Sequence, residues 1–229
     1  MNNRSTWLSG MKAGLPIGLG YFPIAIAFGA LAGQAGLKWT ESTLMSLVVY
    51  AGASQFISVS MLLSGGGAVQ IITTTFFLNM RHLIMSLSVN DRIREYPTGL
   101  KSVLSFFITD ETFALLTLGE GGTHFRSPPY LAGLMLTAYF GWVSGTFVGG
   151  LGAGFIPEEI TAAVTVGLYG LFIGLLVPPI KKSLRFAFIA LSAMIFNWLF
   201  TLFLDQGWAI VLGTIFAAGL GSLIQGEEK

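Results

Sequence analysis

The sequence contains no cysteine and only two histidines among its 229 residues, and only 10% of the residues are charged. Without cysteine there is no disulfide framework and no thiolate chemistry, and with two histidines and no H-E-x-x-H motif we predict no metal site. About a quarter of the residues of a typical soluble domain are charged. These absences set the chain apart from soluble domains and from most metal and redox enzymes.

Motifs for nucleotide and nucleic-acid chemistry are missing as well. The chain has no G-x-x-x-x-G-K-[ST] loop, and the glycine-rich run 149–154 lacks the strand and helix that flank a dinucleotide site. The net charge is +1, without a cluster of basic residues that would bind nucleic acid. No pair of nucleophile and base stands out. We therefore predict no enzyme, no cofactor and no nucleic-acid partner.

Apolar residues dominate what is present. The chain is 53% hydrophobic, its mean hydropathy is +0.74, and a membrane span needs about 20 apolar residues. Glycine, proline and polar residues divide the apolar stretches into eight predicted helices, near residues 14–35, 43–63, 68–89, 100–118, 130–150, 160–179, 185–204 and 208–224. This pattern predicts an all-α, polytopic membrane helix bundle of seven or eight segments, with the fourth as a candidate broken or re-entrant helix.

A weak internal repeat divides the single membrane domain into two halves, 1–118 and 128–229. At an offset of about 116 to 118 residues, Gly52 lies over Gly170 and Asn79 over Asn197. A chance likeness of glycine-rich helices is the alternative. Eight full spans give two halves in the same direction, whereas a re-entrant fourth segment gives inverted halves and suits the positive-inside rule better. Both topologies remain open.

Ionisable residues occur deep inside two of the apolar stretches. Arg81 lies near the middle of the run 68–89, where a charge costs roughly 2.5–3.5 kcal/mol on insertion scales. The acidic doublet Asp110 and Glu111 is the best candidate partner. Adjacent helical residues point about 100° apart, so one carboxylate is expected to pair with Arg81 and the other to remain free to titrate. We predict that these charges meet in a shielded crevice.

Polar residues near these charges complete the candidate site. Asn79 and His82 share one helix face and are predicted to line a path for a polar solute or, alternatively, to bond neighbouring helices. Gly52, Ser54 and Gln55 interrupt an apolar span, as either a substrate-facing kink or a point of close packing. The candidate substrate-binding or coupling residues are Gly52, Ser54, Gln55, Asn79, Arg81, His82, Asp110 and Glu111.

Three motifs in order resemble the AzlC family. They are Tyr50-Ala-Gly-Ala-Ser-Gln-Phe56, then Asn79-Met-Arg-His82 with Ser86, then Thr109-Asp-Glu-Thr-Phe113, and the resemblance extends over about 14–223. It implies the large subunit of a two-component permease in the bacterial plasma (inner) membrane. The implied activity is proton-driven export of the branched-chain amino acids valine, leucine and isoleucine, with methionine as an additional candidate. The implied partner is a small AzlD-type membrane subunit. A gated channel for a small polar solute and a non-transporting membrane scaffold are the alternatives.

Overall fold

The computed structural model describes residues 3–118, 127–157 and 183–223, with isolated positions between 158 and 182. Its helices are α1 Asn3–Gln34, α2 Trp39–Val48, α3 Gly52–Leu63, α4 Ala68–Arg92, α5 Thr98–Phe106, α6 Asp110–Leu118, α7 Pro128–Gly152, α8 Leu184–Thr201 and α9 Gln206–Leu223. No strand occurs in these ranges, so the all-α prediction is confirmed. The predicted helix 160–179 lies largely outside the described residues.

Three of these helices are long and apolar enough to cross a membrane. They cover Arg4–Gln34, Pro128–Gly152 and Leu184–Thr201, and two shorter apolar helices cover Gly52–Leu63 and Gly207–Leu223. Length and composition are the criteria, because a crossing helix needs about 20 apolar residues. The predicted class of polytopic helical membrane protein is confirmed.

Two of the predicted segments are broken helices. The second segment divides into α2 and α3 at 49–51, where Tyr50 has a φ of 41°. The fourth, the candidate broken helix of the sequence analysis, divides into α5 and α6 at 107–109. Thr109 starts α6 because its hydroxyl accepts from the Thr112 amide, while the Thr112 hydroxyl accepts from the Thr109 amide at 2.8 Å. Unwound backbone at membrane depth is tolerated where protein buries it or where it lines a cavity.

Glycines hold α1 and α7 together along most of their lengths. Gly141 and Gly145 are so close to α1 that an added Cβ would lie 2.5 Å from the carbonyl oxygens of Gly18 and Phe22, respectively. Small residues at such positions let two helix backbones approach in a membrane. The G-x-x-x-G spacing of Gly141 and Gly145 therefore lies on the close-packed seam between α1 and α7.

The two helices run in the same direction. Gly10 lies against Tyr130 near one end of the seam, and Gly29 lies against Thr146 near the other, so residue numbers rise together along both helices. Inverted halves would make these corresponding helices antiparallel, whereas halves in the same direction make them parallel. The seam thus agrees with the topology of eight full spans. The internal repeat itself stays a prediction.

The chain forms two compact units. The first consists of Met1–Val59 with Asn79–Leu168, and it holds all eight candidate site residues. The second consists of Ser60–Leu78 with Tyr169–Lys229. Within the second unit α8 and α9 pack in opposite directions, since Gly213 lies against Asn197 and Gly221 lies against Ile189.

Candidate functional site

An ion pair joins α4 to the start of α6. The Nη1 atom of Arg81 lies 2.7 Å from Oδ2 of Asp110, and the two side chains are 27% and 25% exposed, respectively. Asp110 is the first residue of α6, where a negative charge also interacts favourably with the helix dipole. The predicted pairing of Arg81 with one of the two carboxylates is observed.

The neighbouring carboxylate has different partners. Glu111 accepts a short hydrogen bond from the hydroxyl of Tyr21 on α1, and that hydroxyl lies 2.8 Å from the hydroxyl of Thr109. Tyr21 is only 6% exposed. The acidic doublet is therefore divided, with Asp110 on the guanidinium and Glu111 among hydroxyl groups, as the 100° angle between adjacent helical residues requires.

His82 contacts the second break, between α5 and α6 at 107–109. Its Nδ1 lies 3.0 Å from the carbonyl oxygen of Ile108, one of the last residues before α6. Its Nε2 is buried and has no hydrogen-bond partner within the part of the chain that the structure describes. Two consecutive residues of α4 thus reach this region: His82 contacts the unwound backbone, and Arg81 contacts the first side chain of α6.

The first break, between α2 and α3 at 49–51, is held by a network of hydrogen-bonded polar groups. Gln55 is fully buried; its Oε1 accepts from Nε1 of Trp142 at 2.9 Å, and its Nε2 donates to the hydroxyl of Ser46 at 2.8 Å. An added Cβ on Gly52 would lie 2.7 Å from the Trp142 ring. These are the contacts that the close-packing alternative predicts. A role of Gly52 and Gln55 in binding cargo stays a prediction.

A hydrogen bond also joins α3 to α4, the two helices that follow the first break. The hydroxyl of Ser54 on α3 donates to Oδ1 of Asn79 on α4, and Ser54 is only 2% exposed. Such a bond is the helix-to-helix contact that was one of the alternatives for Asn79. The bond between Ser54 and Asn79 therefore positions α4 relative to the first break. Asn79 lies two residues before Arg81 on the same helix.

Aromatic rings fill the space between the two breaks. The cluster consists of Tyr50, Phe106, Phe107 and Tyr139, with ring centroids 4.9 Å apart for Tyr50 and Tyr139 and 5.1 Å apart for Phe107 and Tyr139. Tyr50 is 3% exposed, and its hydroxyl has no hydrogen-bond partner among the described residues. In the chain, Phe107 is followed directly by Ile108, Thr109 and Asp110. The aromatic cluster thus borders the charged groups with an apolar surface.

Sequence reasoning missed several of these residues. Tyr21, Trp142 and Tyr139 lie in long apolar helices, where an aromatic residue normally signals only a core or interface position. Tyr50 had a local signal, because it directly precedes the small and polar residues of the first break. Only the packing of α1 and α7 against the breaks shows which aromatic residues meet the polar groups.

The fold and the site together define a multi-pass helical membrane protein with an ion pair, a second carboxylate and an apolar wall at two helix breaks. Broken helices at the centre of a membrane protein are typical of transporters, whose substrates bind at the unwound backbone. Comparison with known proteins identifies the particular family. The family described as AzlC protein matches residues 16–156, and the chain belongs to this family.

The relatives that match are membrane proteins. The chain is 32% identical over 184 residues to "Inner membrane protein YgaZ" of Escherichia coli, covering 78% of this chain and 75% of that protein. It is 30% identical over 184 residues to an uncharacterized membrane protein of Archaeoglobus fulgidus, covering 79% of each. It is 26% identical over 156 residues to "Branched-chain amino acid transport protein AzlC" of Bacillus subtilis, covering 66% of this chain and 61% of that protein. No solved structure matches the chain.

These matches confirm the predicted family and membrane location and give the protein a role in membrane transport. Two of the three motifs that carried the resemblance, at 50–56 and 109–113, lie at the two breaks, and the third lies within α4. The Asn79 to His82 motif bonds to both of them, since Asn79 contacts α3 and Arg81 contacts α6.

Proposed function

We propose that the protein exports branched-chain amino acids, namely valine, leucine and isoleucine, with methionine as an additional candidate. The substrate class is supported by the printed name of the Bacillus subtilis relative, a branched-chain amino acid transport protein. The observation that carries the proposal is the pairing of Arg81 with Asp110 beside an apolar wall. An amino acid with an aliphatic side chain needs a cation, an anion and an apolar surface within reach of one another.

The charges of the ion pair are complementary to those of the cargo. A guanidinium binds a carboxylate through two parallel hydrogen bonds, and a carboxylate binds an ammonium group. The pair opens as the amino acid arrives, so that Arg81 takes the cargo carboxylate and Asp110 takes its ammonium. It closes when the cargo leaves. The exchange leaves neither protein charge alone in the membrane.

The aromatic cluster supplies the apolar surface. Phe106 ends α5, Phe107 is the first residue of the break that contains Thr109, and both rings pack near Tyr50. A branched side chain placed there buries apolar area while the backbone groups of the amino acid remain at the ion pair. The size of the side chain then selects among amino acids, since one methylene contributes about 0.8 kcal/mol when it is buried.

Glu111 is the proposed proton carrier. A coupled exporter needs a carboxylate that gains and loses a proton in each cycle, and Asp110 is already held by Arg81. Glu111 accepts from the hydroxyl of Tyr21, which also lies 2.8 Å from the hydroxyl of Thr109. A hydroxyl donates to the charged carboxylate and accepts from the protonated one, so this site accommodates both states.

The remaining parts of the proposal concern assembly. The protein is the large subunit of a two-component permease, with a small AzlD-type membrane subunit as its partner. The halves 1–118 and 128–229 are repeats in the same direction. The parallel seam between α1 and α7 supports this arrangement.

Counterflow of labelled valine in proteoliposomes tests the proposal. Vesicles loaded with unlabelled valine are prepared with and without the small subunit and with and without a pH step. We expect the purified protein to accumulate labelled valine transiently, and an acid-inside pH gradient to change the rate. A channel would pass valine down its gradient without counterflow, and a scaffold would pass none.

Variants of equal size link the activity to the named residues. Asp110→Asn and Glu111→Gln remove one charge each with little change of shape. Asp110→Asn is expected to abolish counterflow, whereas Glu111→Gln is expected to leave exchange intact and to remove its response to the pH step. The absence of valine exchange in the parent protein under every condition would refute the proposed function.

A further inference from the structure

A cavity of about 220 Å³ lies in the first unit, between α4 and α5. One wall of the cavity is apolar and includes Val89, Leu104 and Ile108, which belong to the buried core around Met135. The volume equals that of about seven water molecules at ~30 Å³ each. The cavity is therefore large enough to hold one small molecule.

The rest of the lining is mixed: it contains Leu83, Leu87 and Ile93 together with polar side chains, and Leu83 and Leu87 are largely exposed. Its polar side chains are those of Ser86, Asn90, Lys101, Ser102 and Ser105. Ser86 and Asn90 continue the helix face that contains Asn79 and His82, one turn further along α4 at each step. Polar side chains thus lie along one face of α4 from Asn79 to Asn90, near the end of the helix that precedes the loop to α5.

The cavity adjoins the charged site at Ile108. This residue lines the cavity, its carbonyl oxygen contacts His82, and it lies two positions before Asp110. At the other end Lys101 donates through Nζ to the carbonyl oxygen of Arg94 at 3.0 Å, which leaves two of its three hydrogens for other acceptors. A cation at one end and an ion pair at the other both attract an amino acid.

Two of the polar side chains in the lining are available to other partners. The side chains of Ser86 and Asn90 form no hydrogen bond with any of the described residues, whereas the hydroxyls of Ser102 and Ser105 bond to carbonyl oxygens of α5. Asn90 is exposed and Ser86 is partly exposed, so both side chains are accessible to water or cargo. A fully apolar cavity would stay dry, but this one has several polar partners for water.

We propose that this cavity is an aqueous vestibule through which the amino acid passes between the ion pair and the loop end of α4. The inference rests on the proposed function, because its cargo is the exported amino acid. Lys101 attracts the cargo carboxylate at the mouth of the vestibule, and the serines and Asn90 bond to its polar groups. The wall formed by Val89, Leu104 and Ile108 contacts its side chain.

The absence of cysteine from the chain makes a direct test practical, since each introduced thiol is the only one in the protein. Ser86→Cys and Ser105→Cys place a thiol of similar size in the vestibule. Ile84→Cys is the matched control on the same helix, where the side chain is 68% exposed and does not line the cavity. The reagent is a charged, membrane-impermeant methanethiosulfonate, applied to proteoliposomes with and without leucine.

We expect the reagent to modify Ser86→Cys and Ser105→Cys and to leave Ile84→Cys unmodified, because a lipid-facing thiol is not accessible to a charged reagent. Leucine at ten times its dissociation constant should slow modification about tenfold, and the bulky adduct should block leucine counterflow.

Lys101→Gln should raise the KM for leucine by about two- to fivefold, the range of an exposed charge interaction, whereas Lys12→Gln should not.

Failure of the vestibule is distinct from failure of the proposed function. If the cysteine-free parent exchanges leucine, and the two vestibule thiols are unreactive or react at the same rate with and without leucine, then the cavity is not on the path. If the parent exchanges no branched-chain amino acid at all, the proposed function fails first, and the vestibule fails with it.

Discussion

Replacement of Gln55 by leucine tests whether the first break is held by packing or exposed to cargo. Gln55 is fully buried, and Trp142, which is 3% exposed, donates its indole N–H to it. Gln55→Leu leaves that donor without a partner, at a cost of about 1–3 kcal/mol. Ser46 loses less, because its hydroxyl retains its contact with Thr146 at 2.8 Å. We therefore expect Gln55→Leu to destabilise the protein by about 1–3 kcal/mol.

Thermal unfolding of the purified protein in detergent measures this cost. For a chain of this size 1 kcal/mol corresponds to a shift of about 2–4 °C in Tm. Trp142→Phe alone strands the amide oxygen of Gln55, but the double variant Gln55→Leu with Trp142→Phe removes both partners. The double variant should therefore be more stable than the sum of the single effects by about 1 kcal/mol or more.

Two results would refute this reasoning. Fully additive losses in the double variant would mean that the bond between Gln55 and Trp142 does not hold the break. Normal unfolding of Gln55→Leu together with a loss of valine counterflow would assign Gln55 to the cargo site instead. The expected result is a lower Tm with counterflow retained per folded molecule.

Three further predictions address other contacts. Gly145→Ala should sharply reduce the yield of folded protein, because its Cβ would lie 2.5 Å from the carbonyl oxygen of Phe22. The control Gly20→Ala, whose Cβ meets nothing within 4 Å, should not reduce it. Size-exclusion chromatography compares the two yields, and equal yields would contradict the close packing of α1 and α7. Tyr50→Phe should keep or slightly raise Tm in detergent, because it removes a buried hydroxyl without a partner in the described structure; a lower Tm would reveal a missed bond. Ser54→Ala should lower Tm by the few degrees expected for a neutral hydrogen bond of about 1 kcal/mol, and an unchanged Tm would contradict its contact with α4.

The helices could largely be predicted from the sequence, because apolar length and glycine or proline punctuation are local signals. Gly141 and Gly145 of α7 have the G-x-x-x-G spacing that favours close packing of membrane helices, and both lie at the seam with α1. The break at Tyr50 could be anticipated only as a kink. No proline marks it, and Tyr50 adopts a left-handed φ of 41° that is unfavourable for a residue with a Cβ. Contacts with distant aromatic residues hold it there.

The candidate site was predictable in part for a similar reason. A charge inside an apolar run must find a partner, so the position of Arg81 in the sequence already pointed to the acidic doublet. The division of that doublet followed from helix geometry. The hydroxyl partner of Glu111 did not, since Tyr21 is 90 residues away in the chain and its selection depends on how α1 packs. The vestibule was equally hidden, because its lining combines two helices.

The central claim is that Arg81 and Asp110 exchange each other for cargo, and one variant tests it most directly. Arg81→Gln combined with Asp110→Asn removes both charges and keeps two polar side chains that can bond to each other. If the ion pair serves only to hold α4 to α6, this neutral pair should support valine counterflow at the parental rate. The account predicts normal folded yield with no detectable counterflow, and parental counterflow from the neutral pair would contradict it.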